Sequence, residues 1–169
     1  QRNGDLVETL NELEPDIRLL VIGRQGEVGD TQGQHVGSHL ESVIRTMHRP
    51  ILVTAGAFRK PASVMLAFDN SATTRKGVEM LADSPLFVGL PIHLVMVGAD
   101  TNDAWEAINA AKLRLEKAGF QVQASIKAGE VETVLMDYEQ AHDVDLLVMG
   151  AYGHSRIRQF FVGSTTTNI

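Results

Sequence analysis

The chain has 169 residues, 44% hydrophobic and 21% charged, which is enough for one full globular domain and part of another. A net charge of −6 argues against a general nucleic-acid binder, and no apolar stretch approaches the roughly 18 residues of a membrane-spanning helix. With no cysteine there are no disulfides, no thiol catalysis and no Cys-based zinc site, and with no signal-like start the expected compartment is the cytoplasm.

The first elements form a short α/β series. Gly4-Asp-Leu-Val-Glu-Thr-Leu opens an acidic helical segment, and Leu19-Leu-Val-Ile-Gly23-Arg-Gln-Gly26 reads as an apolar strand running into a glycine turn. Gly37-Ser38 follows. His35 and His39 sit four apart with His48 nearby, but a metal site needs a third committed ligand and supporting partners, so a solvated helix start is the simpler reading. Residues Pro50–Thr54 read as an edge strand of alternating apolar character, and an exposed edge invites pairing. Residues 57–62, with Pro61, read as a linker.

A longer series begins at Ser63. Strands are expected near 63–68, 92–97, 120–126 and 145–149, with helices over Thr73–Leu81, Asp103–Ala118 and Glu130–His142 and a further helix start near Ser164. The pair Asn102-Asp103 is expected to cap the second helix and Gly119 to end it. Trp105 is expected to pack that helix on the sheet, and Met65, Met96, Met136 and Met149 to fill the core. Strands alternating with helices imply βαβ units and a parallel sheet, whose ligands bind at the carboxyl ends of the strands. Two segments end strands in that way. Ser63-Val-Met-Leu-Ala-Phe68 runs into Asp69-Asn70-Ser71, where Asp69 and Ser71 can cap the next helix, contact a ligand, or do both. Leu146-Leu-Val-Met149 runs into Gly150-Ala-Tyr-Gly153, then nine residues, then Gly163-Ser164-Thr165-Thr166. Glycines let backbone N–H groups approach an anion, and a helix start adds unpaired donors.

The chain also repeats itself. Leu19-Leu-Val-Ile-Gly23-Arg-Gln-Gly26 matches Leu146-Leu-Val-Met-Gly150-Ala-Tyr-Gly153; Gly129-Glu-Val-Glu-Thr-Val-Leu echoes the segment at Gly4, and each copy has a downstream Gly-Ser pair. From Gly23 to Gly150 the offset is 127 residues, so the repeating unit is domain-sized.

The G-x2-G-x9-G-[S/T] spacing at Gly150 resembles the signature of the ATP-binding branch of the universal stress protein family, and the Asp-x-Ser at Asp69 resembles the end of that family's first strand. The resemblance implies a five-stranded parallel sheet of order 3-2-1-4-5 with helices on both faces. Residues 1–56 would be the C-terminal part of a first such domain, and residues 63–169 a second domain lacking its last strand. The chain thus resembles the middle of a tandem stress protein, cut at both ends. The carried-over positions are Ala67, Phe68, Asp69 and Val97 for adenosine, and Met149, Gly150, Gly153, Gly163, Ser164, Thr165 and Thr166 for ribose and phosphates. The implied ligand is ATP, with or without Mg²⁺. The implied assembly is a homodimer or an intramolecular pairing of domains through edge strands.

Turnover is not expected. Ser71 and Ser164 have no evident histidine partner, and no paired carboxylates stand out. His154, Arg156 and Arg158 are the cations of the second glycine loop, whereas the first carries Glu27 and Asp30 and is one residue longer, so the first copy is expected to be empty. Two function classes remain: a nucleotide-responsive stress regulator, and a stress protein module that binds no nucleotide and serves dimerisation or scaffolding. An adenylyl-transfer enzyme is a distant third, and a weak ATPase stays open.

Overall fold

A computed structural model describes residues 6–23, 36–54 and 59–150, with their side chains except at 6, 36–39 and 41. Two compact units divide the described residues, one reaching to 54 and the other starting at 59.

In the first unit α1 (Leu6–Leu13) leads through a single 3-10 turn to β1 (Leu20–Gly23), and α2 (Val36–Thr46) leads to β2 (Ile51–Thr54). The two strands pair in parallel, Leu20 opposite Ile51 and Gly23 opposite Thr54. Leu40, Val43, Ile44 and Met47 are buried, the i, i+3, i+4, i+7 stripe that an amphipathic helix presents to its core. The turn after α1 is clipped to the start of β2: Glu14 takes the His48 amide on its carboxylate and the Arg49 Nε–H on its carbonyl, and the Leu20 amide donates to the Pro50 carbonyl. The strand expected at Pro50–Thr54 is present one residue shorter. Its expected alternation is not: Ile51, Leu52 and Val53 are all half-buried, because neighbours cover part of both faces.

The second unit carries four parallel strands, β3 (Val64–Ala67), β4 (Ile92–Val97), β5 (Val122–Lys127) and β6 (Leu146–Val148), in the spatial order β5-β4-β3-β6. Numbered within this unit the order is 3-2-1-4; a fifth strand is not among the described residues. Helices α3 (Ala72–Asp83), α4 (Asn102–Lys117) and α5 (Val131–His142) make the crossovers. Side chains alternate across the sheet, so Val64, Leu66, Ile92, Leu94 and Met96 face α3 and α4, while Met65, His93 and Val95 face α5. On the first face Val78 and Leu81 of α3, with Ile108, Ala111 and Leu115 of α4, complete an apolar core. Arg114 joins the two helices outside it, 2.7 Å from Glu79 and 2.8 Å from Asp83, exposed enough that the fork adds little stability.

Register is set at the amino end of the sheet. The Asp145 carboxylate accepts from the Ala62 amide at 2.8 Å and from Arg59 at 2.9 Å, while the Ser63 hydroxyl sits 3.3 Å from both the Asp145 amide and the Asp143 carbonyl. These contacts lock residues 59–63 to 143–145 and so fix Val64 opposite Leu146.

Helix ends depart from expectation in two places. Thr101, not Asn102-Asp103, caps α4, accepting from the Ala104 amide at 3.2 Å. Trp105 is not a packing residue: it is exposed and donates its indole N–H to Asp100 at 2.6 Å, tying down the loop before α4. Gly119 ends α4 as expected, at φ +94, where a side chain would be strained. Met65 and Met96 are buried as expected, and Met136 and Met149 are half-buried.

The α5 face is polar in part. His93 Nδ1 lies 3.1 Å from the Tyr138 hydroxyl, the Tyr138 and His142 rings stack at 3.9 Å, and the His142 Nδ1–H donates to the Tyr138 carbonyl. Ser125, opposite Val95, points to the same side of the sheet, with its hydroxyl buried beside the Tyr138 phenol. Burial, reinforced by the neighbouring His142 imidazole, holds His93 below its ordinary pKa, and burial pushes the Tyr138 phenol up. A histidine that binds its proton less readily when folded makes unfolding proton-coupled. Its stabilising contribution is complete above the unfolded pKa of about 6.5 and is lost as pH falls through that value towards the lower folded one. The melting temperature of the protein should therefore drop between about pH 7 and pH 5, and His93→Gln should flatten that slope; equal slopes in the two proteins would refute it.

Candidate functional site

Parallel strands all leave the sheet at one edge, and the candidate residues that are described collect there. Ala67 ends β3 opposite Val95 of β4, with the Phe68 amide donating to the Val95 carbonyl at 2.8 Å. Asp69 therefore emerges beside Val97, the last residue of β4. On the other flank Leu66 lies opposite Val148 of β6, which brings Met149 and Gly150 alongside the same turn. Gly153, Gly163, Ser164, Thr165 and Thr166 lie outside the described residues, as do His154, Arg156 and Arg158 of the same loop and Glu27, Asp30 and His35 of the first copy.

The turn at Asp69 is built from local hydrogen bonds. Asn70 adopts φ +61, a left-handed conformation that asparagine tolerates better than most residues, and this reverses the chain into α3. Ser71 is the N-cap, its hydroxyl accepting from the Thr74 amide at 3.3 Å. One Asp69 oxygen, Oδ1, accepts from the Ser71 amide at 2.9 Å and from the Thr74 hydroxyl at 2.8 Å. Arg75 reaches back to the Asn70 carbonyl at 2.6 Å. Capping by Ser71 and a positioned Asp69 thus coexist, and the carboxylate is held at the mouth of the sheet by its own helix start.

Gly150 approaches that helix start closely. A β-carbon there would sit 3.3 Å from the Thr73 γ-methyl and 3.4 Å from that of Thr74, so the position favours glycine for lack of room. A backbone this near to an exposed carboxylate, with amides emerging from three parallel strands, can bind a small polar ligand that has both hydroxyl and anionic groups. Among the described residues no cluster of three His, Asp, Glu or Cys side chains could hold a metal ion. His48 lies 3.7 Å from Glu14, and the pairing of His35 with His39 falls outside what is described.

Thr74 is the site residue that sequence reasoning missed. It is 4% exposed, in the first turn of α3, with its hydroxyl on Asp69. The available signal was a small hydroxyl residue three positions after a serine N-cap, in the stretch Ser71-Ala-Thr-Thr74.

Residues 98–169 match the universal stress protein family. A universal stress protein of Synechocystis sp. is 36% identical over 99% of this chain and 59% of its own length. Another, from Methanocaldococcus jannaschii, is 28% identical over 41% of this chain and 43% of its own. The chain thus spans less than two thirds of either relative. The crystal structure of a universal stress protein from Archaeoglobus fulgidus superposes with a TM-score of 0.70, covering 95% of this chain and 59% of that one. At 15% identity that likeness speaks for the fold alone. The chain is thus similar to universal stress proteins, and the superposition supports an α/β parallel-sheet fold. No helix among the described residues is long and apolar enough to cross a membrane.

Loss of the cap should be visible without any ligand. Ser71→Ala removes the acceptor for the Thr74 amide and should cost about 1 kcal/mol in urea unfolding. An unchanged midpoint would show that Ser71 does not hold the turn.

Proposed function

We propose that this chain is part of a universal stress protein that binds ATP, with or without Mg²⁺, through its second unit and acts as a nucleotide-responsive regulator. The observation that carries this reading is the meeting of Asp69, Val97 and Gly150 at the carboxyl edge of β3, β4 and β6. Gly150 opens the Gly150-x2-Gly153-x9-Gly163-Ser164 spacing, and residues 98–169 match the family. In this reading the Asp69 carboxylate and the backbone at Ala67, Phe68 and Val97 take the adenosine. Met149, Gly150, Gly153, Gly163, Ser164, Thr165 and Thr166 take ribose and phosphates, and His154, Arg156 and Arg158 offset their charge. A nucleotide would gather amide donors from strand ends and a helix start, which need no catalytic group. The protein is proposed as a binder rather than an enzyme.

The same reading makes residues 1–56 the C-terminal part of a first stress protein domain, 57–62 a linker, and 63–169 a second domain of sheet order 3-2-1-4-5 without its last strand. The first copy is proposed to be empty. Glu27 and Asp30 stand where the second copy has His154, Arg156 and Arg158. A carboxylate within about 6 Å of a triphosphate opposes binding by an amount on the order of 1 kcal/mol or more at an effective dielectric constant near 20, before salt screening. Calorimetry on the full-length protein should thus find one ATP per chain, abolished by Gly153→Val or Gly163→Val. No heat at millimolar ATP would overturn the reading, and two sites would overturn the empty first copy.

The competing module reading gains from β2, whose one strand neighbour among the described residues is β1. Pairing of that edge, with a second copy or another domain, is proposed alongside nucleotide binding, in the cytoplasm. Leu52→Lys should lower the oligomeric state or the melting temperature, and sedimentation and melting curves identical to wild type would remove the edge from consideration.

A further inference from the structure

We infer that Thr74 is a positioning residue that bears on both halves of the nucleotide site, its hydroxyl orienting Asp69 and its γ-methyl, beside that of Thr73, limiting the room next to the Gly150 backbone. The inference rests on the ATP reading above and extends it to a residue with no ligand contact of its own.

The two ends of Thr74 do different things. Its hydroxyl donates to Asp69 Oδ1 at 2.8 Å, the shortest of its contacts, and sits 3.2 Å from the Ser71 hydroxyl, from which it can accept. The Ser71 hydroxyl accepts in turn from the Thr74 amide. Residues 69, 71 and 74 therefore close a ring of hydrogen bonds around one carboxylate oxygen. Asp69 itself is exposed, and an exposed aspartate samples several rotamers unless something holds it. Thr74 is buried at 4% exposure in a helix that is packed on the sheet through Val78 and Leu81, so it is an anchor with little freedom to follow the carboxylate. Its methyl points the other way, 3.4 Å from where a β-carbon would stand on Gly150. The residue thus meets the adenosine side of the site through its oxygen, and with the Thr73 γ-methyl, 3.3 Å from the same point, its carbon bounds the room beside the Gly150 backbone. Either contact can be removed alone: valine keeps the methyl pair and loses the hydroxyl, and serine keeps the hydroxyl and loses the methyl.

The test is calorimetry of adenosine and ATP on the wild type, Thr74→Val and Thr74→Ser, with Val78→Ala as a control. Val78 is buried on the same helix but faces the core, so its truncation destabilises α3 without touching Asp69 or Gly150. Thr74→Val should weaken adenosine and ATP alike by about tenfold, the scale of one hydrogen bond to a charged group. Thr74→Ser should restore adenosine affinity to within about twofold of wild type while leaving ATP about threefold weaker, since the methyl bears on the phosphate side. In an Asp69→Ala background Thr74→Val should add nothing, because the residue acts through that carboxylate. Val78→Ala should lower the melting temperature and leave both affinities unchanged. Unchanged affinities in Thr74→Val, equal losses in Thr74→Val and Val78→Ala, or a serine variant no better than valine for adenosine would each overturn the positioning role while leaving ATP binding intact. A wild type that binds neither ligand would instead overturn the functional reading, and the inference with it.

Discussion

The second unit is organised by the parallel direction of its strands. Parallel pairing requires every connection to cross back over a face, so every strand leaves the sheet at one edge and the loops that leave there share that edge. Asp69, Val97 and Gly150 are separated by 28 residues and then 53 in sequence, yet they arrive together because β4, β3 and β6 are adjacent and in register. Nothing at the site has to pull them together. The adhesion is supplied elsewhere, by Leu66, Leu81, Leu94, Ile108 and Leu115 in the core and by Asp145 at the opposite edge. Burying such side chains contributes about 2 kcal/mol each, which leaves the edge residues free to be polar.

That division shows in the Asp69 turn. An aspartate at a strand end, an asparagine at positive φ and a serine cap are joined by hydrogen bonds that span six residues. The unit serves α3 by satisfying amides that the helix leaves unpaired, and in doing so it fixes the carboxylate. Capping and the proposed recognition are not rival explanations of Asp69 and Ser71, because the hydrogen-bond ring that caps α3 also holds the carboxylate the proposed site would use.

Much of the second unit was legible in its sequence because strong periodicity and punctuation agreed. Ile92–Val97 is matched residue for residue, the other strands to within two residues, and Gly119 ends α4 where it should. The errors fall where two plausible residues competed. Thr101 won over Asn102 and Asp103 as the cap of α4, since all three can accept an amide and only the backbone conformation decides among them. Trp105 lost its expected packing role to a hydrogen bond with Asp100, a partner that hydrophobic periodicity does not register. Thr74 was passed over because one threonine in a helix's first turn carries no periodic signal, and its partner is defined by the fold of the turn. The His93–Tyr138–His142 group was out of reach for a different reason. It joins a strand to a helix 45 residues away, a distance that a single sequence does not bridge.

Those three aromatic residues also bear on how firmly the site is built. On the α3 and α4 face the floor of the site, β3 and β4, rests on a dry core in which Leu66, Leu81, Ile92, Leu94, Ile108 and Leu115 are fully buried. The third wall is β6, only three residues long and half-buried throughout, and it follows directly from α5. The α5 face holds Leu135 and Val95 tightly but spends the rest of its contact on the polar group His93, Tyr138 and His142. The stability that the low-pKa His93 contributes is lost as pH falls, so this face weakens in acid. Low local stability belongs to elements with few buried apolar contacts. β6 is the shorter and less buried wall, with Leu146 and Val148 packed at the rim of that core, while the Asp69 turn is seated on α3 through the buried Thr74.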